Sequence, residues 1–68
     1  MHSNLKALRA ERNWTQAQLA EAAEVSRYAI NALETQRHEP SLDLAQRLAA
    51  IFGASVDAVF PNPYDWVA

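Results

Sequence analysis

The stretch TQAQLAEAAEVSRYAINALE, Thr15 to Glu34, decides the fold, because it contains two helix starts that are separated by one short turn. Thr15 is a typical N-cap residue, and Gln18 stands three residues later, where its side chain completes a capping box. Ser26 is the next N-cap, so the second helix ends near Ala23 and the third begins near Ser26. About three residues then turn the chain, which favours two helices that cross at a steep angle.

The segments on either side of this pair predict three more helices. Leu5 and Leu8 indicate a first helix over roughly residues 4–12. Ser41 caps a fourth helix, and Gly53 suits its left-handed C-terminal cap. Ser55 opens a short fifth helix that ends near residue 60. The side chains predicted to face the core are Leu19, Ala20, Ala23, Ala29, Ile30, Leu33, Leu44, Ala45, Leu48, Ile51 and Phe52.

The composition fits one small domain without covalent or metal support. The 68 residues include no cysteine, and the two histidines, His2 and His38, do not have the spacing of metal ligands. No apolar run has the length of a membrane span, and the first residues lack the order of a signal peptide. We therefore expect a soluble, cytoplasmic all-α protein that uses no metal and no cofactor.

The net charge of −2 hides an asymmetry along the chain. Residues 1–38 carry five basic and four acidic side chains, whereas residues 39–68 carry one basic and four acidic ones. The first half of the chain is therefore the part that is able to face a polyanion such as DNA.

Five segments, taken in order, resemble the phage-repressor/Cro-type (XRE) family of DNA-binding regulators: LR in helix 1, then TQAQLA, VSRYAINALE, PSLDLAQRLAAIF and SVDAVF. The resemblance covers roughly residues 4–60 and implies a compact five-helix, lambda-repressor-like domain over residues 1–60. Residues 61–68 then form a short extended tail. In this family helices 2 and 3 form the helix-turn-helix, and helix 3 enters the major groove of DNA.

The outward side of helix 3 carries side chains that are suited to reading bases. At about 100° per residue, Arg27, Tyr28, Asn31 and Thr35 fall together on the side opposite Ile30 and Leu33. Arginine pairs with guanine, asparagine pairs with adenine, and a tyrosine meets a thymine methyl or a phosphate. We assign base readout to Arg27, Tyr28 and Asn31; the alternative is an ordinary solvated helix face. Family members often carry Gln where Tyr28 stands, so the usual adenine contact is not expected there.

The resemblance also implies contacts with the DNA backbone and one structural ion pair. The residues that we expect at phosphates are Thr15, Gln16, Ser26 and Arg37. Arg9 and Glu34 match a pair that joins helix 1 to helix 3, which we interpret as structural and not catalytic. Glu24 stands where the family often has Gly, at a position that requires a left-handed backbone.

The end of the chain predicts self-association. Tyr64 and Trp66 alternate with polar or smaller residues after two prolines, and with Val59 and Phe60 we expect them to form a dimer contact. The alternative is that this tail folds back onto helices 1 and 5.

These observations predict a sequence-specific DNA-binding transcriptional regulator, a homodimeric repressor that reads a palindromic operator. The alternative is a protein-interaction module with a protein partner, such as the antitoxin of a toxin–antitoxin pair. The sequence contains no set of residues typical of an enzyme active site, so we expect no catalysis.

Overall fold

The structure is a computed structural model, and it describes residues 3–61. Within this range the chain forms five helices, as predicted, and no strand. The helices are α1 (Leu5–Glu11), α2 (Gln16–Ala23), α3 (Arg27–Glu34), α4 (Leu42–Phe52) and α5 (Val56–Val59). The sequence predicts helix 3 over roughly residues 26–36, but α3 ends at Glu34, because Gln36 adopts a left-handed conformation (φ 60°) that cannot continue a helix.

Hydroxyl side chains begin four of these helices. Thr15, Ser26, Ser41 and Ser55 each accept a hydrogen bond from the backbone N–H three residues later, at 3.1 Å in every case. At Thr15 the side-chain oxygen of Gln18 also accepts from the Thr15 N–H at 2.8 Å, which completes the predicted capping box. Local sequence therefore sets where α2, α3, α4 and α5 start.

Helix α1 begins differently, through a contact with the other end of the domain. The Asn4 side chain makes no cap; its amide donates to the Ala58 carbonyl at 2.9 Å. The Asn4 backbone N–H donates to the Val59 carbonyl at 2.8 Å. These two bonds hold the end of α5 against the start of α1.

Left-handed residues end α2 and α4, as the sequence predicts. Glu24 closes α2 at φ 58° and ψ 41°, and Gly53 closes α4 at φ 61° and ψ 34°. Glycine adopts this conformation without strain, whereas in a glutamate the Cβ crowds the backbone, which costs about 1 kcal/mol. The turn between α2 and α3 is therefore strained at Glu24.

One apolar core joins all five helices. Its buried side chains are Leu5, Leu19, Ala20, Ala23, Ile30, Leu33, Ala45, Leu48, Ala49, Val59 and Phe60. Ala29, predicted to face the core, is only half-buried, and Ala49, which was not singled out, is buried. None of the helices formed by residues 3–61 is long and apolar enough to span a bilayer.

The placement of Val59 and Phe60 corrects one prediction. Both were expected at a dimer contact, but their side chains are 0% and 3% exposed within the core of a single chain. They complete that core because α5 packs back onto α4 and α1, and so they offer almost no surface to a second copy. Tyr64 and Trp66, the other two residues of the expected contact, lie outside the described residues.

Candidate nucleic-acid interface

Helix α3 has one buried side and one polar, exposed side. Ile30 and Leu33 are buried in the core, while Tyr28 is 88% exposed. Arg27 is also exposed, and Asn31 is half-buried. Because the buried side fixes the helix against the core, the polar side is presented on a rigid element.

Five of the residues that we expect to contact DNA come together around one open groove. The groove has a volume of about 410 Å³, and its lining residues are Gln16, Arg27, Tyr28, Asn31 and Arg37. They come from the start of α2, the outward side of α3 and the loop after α3. The groove therefore joins the three expected base-reading side chains to two of the expected phosphate contacts.

A second open groove of about 510 Å³ continues this surface toward the start of α2. Thr15 lies here, and Gln16 and Arg27 line both grooves. The Thr15 and Ser26 hydroxyl oxygens accept the N-cap hydrogen bonds, which leaves each hydroxyl proton able to be donated. Because an acceptor such as a phosphate oxygen needs that proton, both residues keep the chemistry that the predicted contact requires.

Beneath the grooves, Glu34 is the centre of a hydrogen-bond network. Arg9 donates from Nε to Oε2 of Glu34 at 2.7 Å and from Nη2 to Oε1 at 3.0 Å, so the pair is bidentate. The third guanidinium nitrogen of Arg9 donates to the Trp14 carbonyl at 2.8 Å. Gln16 donates from Nε2 to Oε1 of Glu34 at 3.1 Å. The carboxylate thus ties α1 and the start of α2 to the end of α3, and Arg9 adds the loop before α2 to the network.

The network decides the ionisation of both charged groups. Burial raises the pKa of Glu34 and is the largest single influence on it, since its side chain is 3% exposed. The hydrogen bonds from Arg9 and Gln16, with the charges of Arg9 and Lys6, together outweigh burial and hold that pKa below its ordinary value of 4.5. The hydrogen bond with Glu34 in turn raises the pKa of Arg9. Both groups are therefore charged at neutral pH.

With this geometry established, comparison with known proteins identifies the family. A family model described as helix-turn-helix matches residues 5–59, which is most of the chain. The chain belongs to the helix-turn-helix family. The resemblance to phage-repressor/Cro-type regulators is thereby confirmed.

Relatives and a solved structure agree with this helix-turn-helix assignment. The chain is 42% identical over 60 residues to an uncharacterized HTH-type transcriptional regulator of Methanocaldococcus jannaschii, covering 88% of this chain and 91% of that protein. It is 42% identical over 55 residues to the immunity repressor protein of Bacillus phage phi105, covering 81% of this chain and 38% of that protein. The crystal structure of a hypothetical transcription factor from Neisseria superimposes with a TM-score of 0.75 at 25% identity, over 85% of this chain and 67% of that one.

Two contacts between helices of this domain were not predicted from the sequence. The Arg12 guanidinium lies over the rings of Trp14 and Phe52, 5.3 Å and 5.0 Å from their centroids, and so joins the end of α1 to the end of α4. Arg47 of α4 donates to the Ala23 carbonyl, the last of α2, at 2.8 Å. The i, i+4 spacing of Asp43 and Arg47 was a visible signal for an ion pair, but it does not reveal the contact with α2.

Proposed function

We propose that this protein is a sequence-specific transcriptional regulator, a homodimeric repressor that reads a palindromic operator through α3. The observation that carries the proposal is the groove in which Arg27, Tyr28 and Asn31 are held beside Gln16 and Arg37. Similarity to proteins named HTH-type transcriptional regulator and immunity repressor supports transcription control as the use of this surface.

The dimensions and chemistry of α3 fit the major groove. An α-helix with its side chains is about 10–12 Å in diameter, which fits a major groove about 12 Å wide. The eight residues of α3 span about 12 Å, which limits one helix to a few base pairs. Arg27 donates in bidentate fashion to a guanine, and Asn31 exchanges two hydrogen bonds with an adenine. Tyr28, which is 88% exposed, supplies an aromatic face for a thymine methyl.

The backbone contacts orient α3 on the duplex without reading its sequence. Gln16 has one amide N–H engaged by Glu34, and its second N–H is directed to a phosphate in this proposal. Arg37 supplies a charged contact from the loop after α3, and the hydroxyls of Thr15 and Ser26 add neutral ones. Because Arg27 is assigned to a guanine, Arg37 is the charged phosphate contact of each copy, so a dimer neutralises about two phosphates and log K falls with log[salt] at a slope near −2.

Dimerisation follows from the small site that a single α3 reads. Two copies related by a two-fold axis read half-sites about 34 Å apart, one turn of the double helix. Because Val59 and Phe60 are buried in the core, the contact between copies is proposed to involve Tyr64 and Trp66 without them. Sedimentation equilibrium of Trp66→Ala against the wild type tests this part: the proposal requires weaker association and weaker operator binding together.

The base-reading residues are tested on the duplex that the wild type selects from a random pool. Each good base contact is worth about 1–3 kcal/mol, and Arg27→Ala combined with Asn31→Ala removes two of them from each copy of the dimer, so affinity for that duplex falls by at least roughly a thousandfold. Gln46→Ala is the control, because Gln46 is an exposed amide residue on α4, away from the groove lining. A double variant that binds and footprints like Gln46→Ala would refute the assignment of α3 as the reading helix.

A further inference from the structure

The last turn of α2 leaves two carbonyls, those of Ala22 and Ala23, that its own backbone does not satisfy, and Ala22 is exposed to water. The N–H groups of Glu24 and Val25 turn back to the carbonyls of Ala20 and Glu21. Ala23 is buried, and α2 has no basic residue in its last turn that could reach the Ala23 carbonyl. A buried carbonyl at the negative end of a helix dipole requires a donor, and a cation is the best one.

Arg47 of α4 is that donor. Its Nη1 donates to the Ala23 carbonyl at 2.8 Å, while its Nη2 pairs with Asp43, one turn earlier in α4, at 2.7 Å. Because a guanidinium is a rigid planar fork, the pairing with Asp43 on one side fixes the direction of the N–H on the other. The Arg47 and Asp43 side chains are 40% and 80% exposed, so these two hydrogen bonds of Arg47 lie at the surface and not in the core.

We propose that Arg47 is a positioning residue for DNA recognition, which acts by holding the turn from which α3 enters the groove. The inference depends on the proposed function above. The turn is short: it leaves α2 at Ala23, passes through the strained Glu24 and reaches the N-cap Ser26, and Arg27 begins α3. Fixing the Ala23 end of this turn limits how far α3 rotates against α2. Base readout tolerates about 0.5 Å of displacement, so a looser turn weakens specific binding first.

The test compares three variants. Arg47→Met removes the donor and the charge but keeps the aliphatic stem, and Arg47→Lys returns a charged donor. Lys6→Met is the control, since it removes one charge from an exposed position of α1. For each, affinity for the selected operator and for an unrelated duplex is measured across a salt series, at a temperature where circular dichroism shows the variant to be folded. Hydrogen exchange at the amides of Glu24 and Val25 is measured on the same samples without DNA.

The positioning role predicts a specific pattern. Arg47→Met lowers operator affinity about tenfold, because DNA binding must then fix a turn that the lost hydrogen bond no longer holds. It changes affinity for the unrelated duplex by less than about twofold, keeps the salt slope and speeds exchange at Glu24 and Val25. Arg47→Lys recovers most of the operator affinity, and Lys6→Met shows none of these effects.

Other patterns overturn the inference. A salt slope that is smaller by about one per copy, with both duplexes weakened equally, would make Arg47 a phosphate contact. Unchanged operator affinity in Arg47→Met would overturn the positioning role whatever the exchange rates, and unchanged exchange at Glu24 and Val25 would show that Arg47 does not hold the turn. If the wild type itself does not prefer any duplex, the proposed function fails; exchange at Glu24 and Val25 then still decides whether Arg47 holds the turn, and unchanged exchange refutes it.

Discussion

Replacing Glu34 by glutamine removes the charge at the centre of the network that joins α1 and α2 to α3. The substitution keeps the size of the side chain, so the effect comes from the loss of the carboxylate and not from a cavity. The Glu34 side chain is 3% exposed and that of its partner Arg9 is 16% exposed, so the variant leaves a largely buried guanidinium without its counter-charge. The loss of one partner from a buried pair costs about 3–5 kcal/mol.

The lower end of that range applies, because Arg9 retains some contact with water and its hydrogen bond to the Trp14 carbonyl. We therefore expect Glu34→Gln to lower the free energy of unfolding by about 3 kcal/mol. A domain of this length has roughly 3–10 kcal/mol in total. With a urea m-value of about 1 kcal/mol/M for so small a protein, the midpoint falls by about 3 M.

Two further variants separate the loss of this buried ion pair from the effect of removing any carboxylate. Asp43→Asn removes a carboxylate from the exposed i, i+4 pair with Arg47, and it is expected to cost no more than about 0.5 kcal/mol. Adding Arg9→Met to Glu34→Gln removes the stranded charge and should recover part of the lost stability. A Glu34→Gln protein within about 1 kcal/mol of the wild type would refute the reasoning.

The network also predicts how stability depends on pH. The pKa of Glu34 in the folded protein lies below its ordinary value of 4.5, so Glu34 stabilises the fold above that value and loses this contribution as pH falls through the lowered pKa. Urea titrations of the wild type between pH 7 and pH 3 should show that the free energy of unfolding falls with pH, and that it falls less steeply in Glu34→Gln. At the two left-handed caps, Glu24→Gly should stabilise the protein by about 0.5–1 kcal/mol and Gly53→Ala should destabilise it by about 1 kcal/mol, as measured by thermal unfolding. If both variants were stabilised, or both destabilised, the result would contradict the account of the turn. Ser26→Ala should cost about 1 kcal/mol by removing the cap of α3, with Ser26→Thr close to the wild type in the same assay.

The local parts of the fold could be predicted because they depend on residues that are neighbours in sequence. The N-caps at Thr15, Ser26, Ser41 and Ser55 each involve a hydroxyl and an N–H three residues later, so their positions set the helix starts directly. The left-handed cap at Gly53 is local in the same sense. The order of these signals was enough to predict five helices.

Contacts between distant segments could not be predicted from the same signals. The bond from Arg47 to Ala23, and the bonds from Asn4 to the end of α5, join residues at least 24 positions apart and depend on how the helices pack. Val59 and Phe60 show the limit most clearly, because an apolar side chain suits a core and an interface equally well. The polar side of α3, which we propose reads DNA, was predictable from helical spacing, whereas the hydrogen bond from Gln16 to Glu34 beneath it needed the structure.

The central claim is that the groove along α3 reads a specific DNA sequence, and selection of genomic fragments by the purified protein at physiological salt tests it most directly. Footprints of the selected fragments are then compared. The account predicts one palindromic motif with half-sites about one helical turn apart, which Arg27→Ala and Asn31→Ala each weaken while Gln46→Ala does not. A folded protein that enriches no motif would contradict the claim and would favour the protein-interaction module instead.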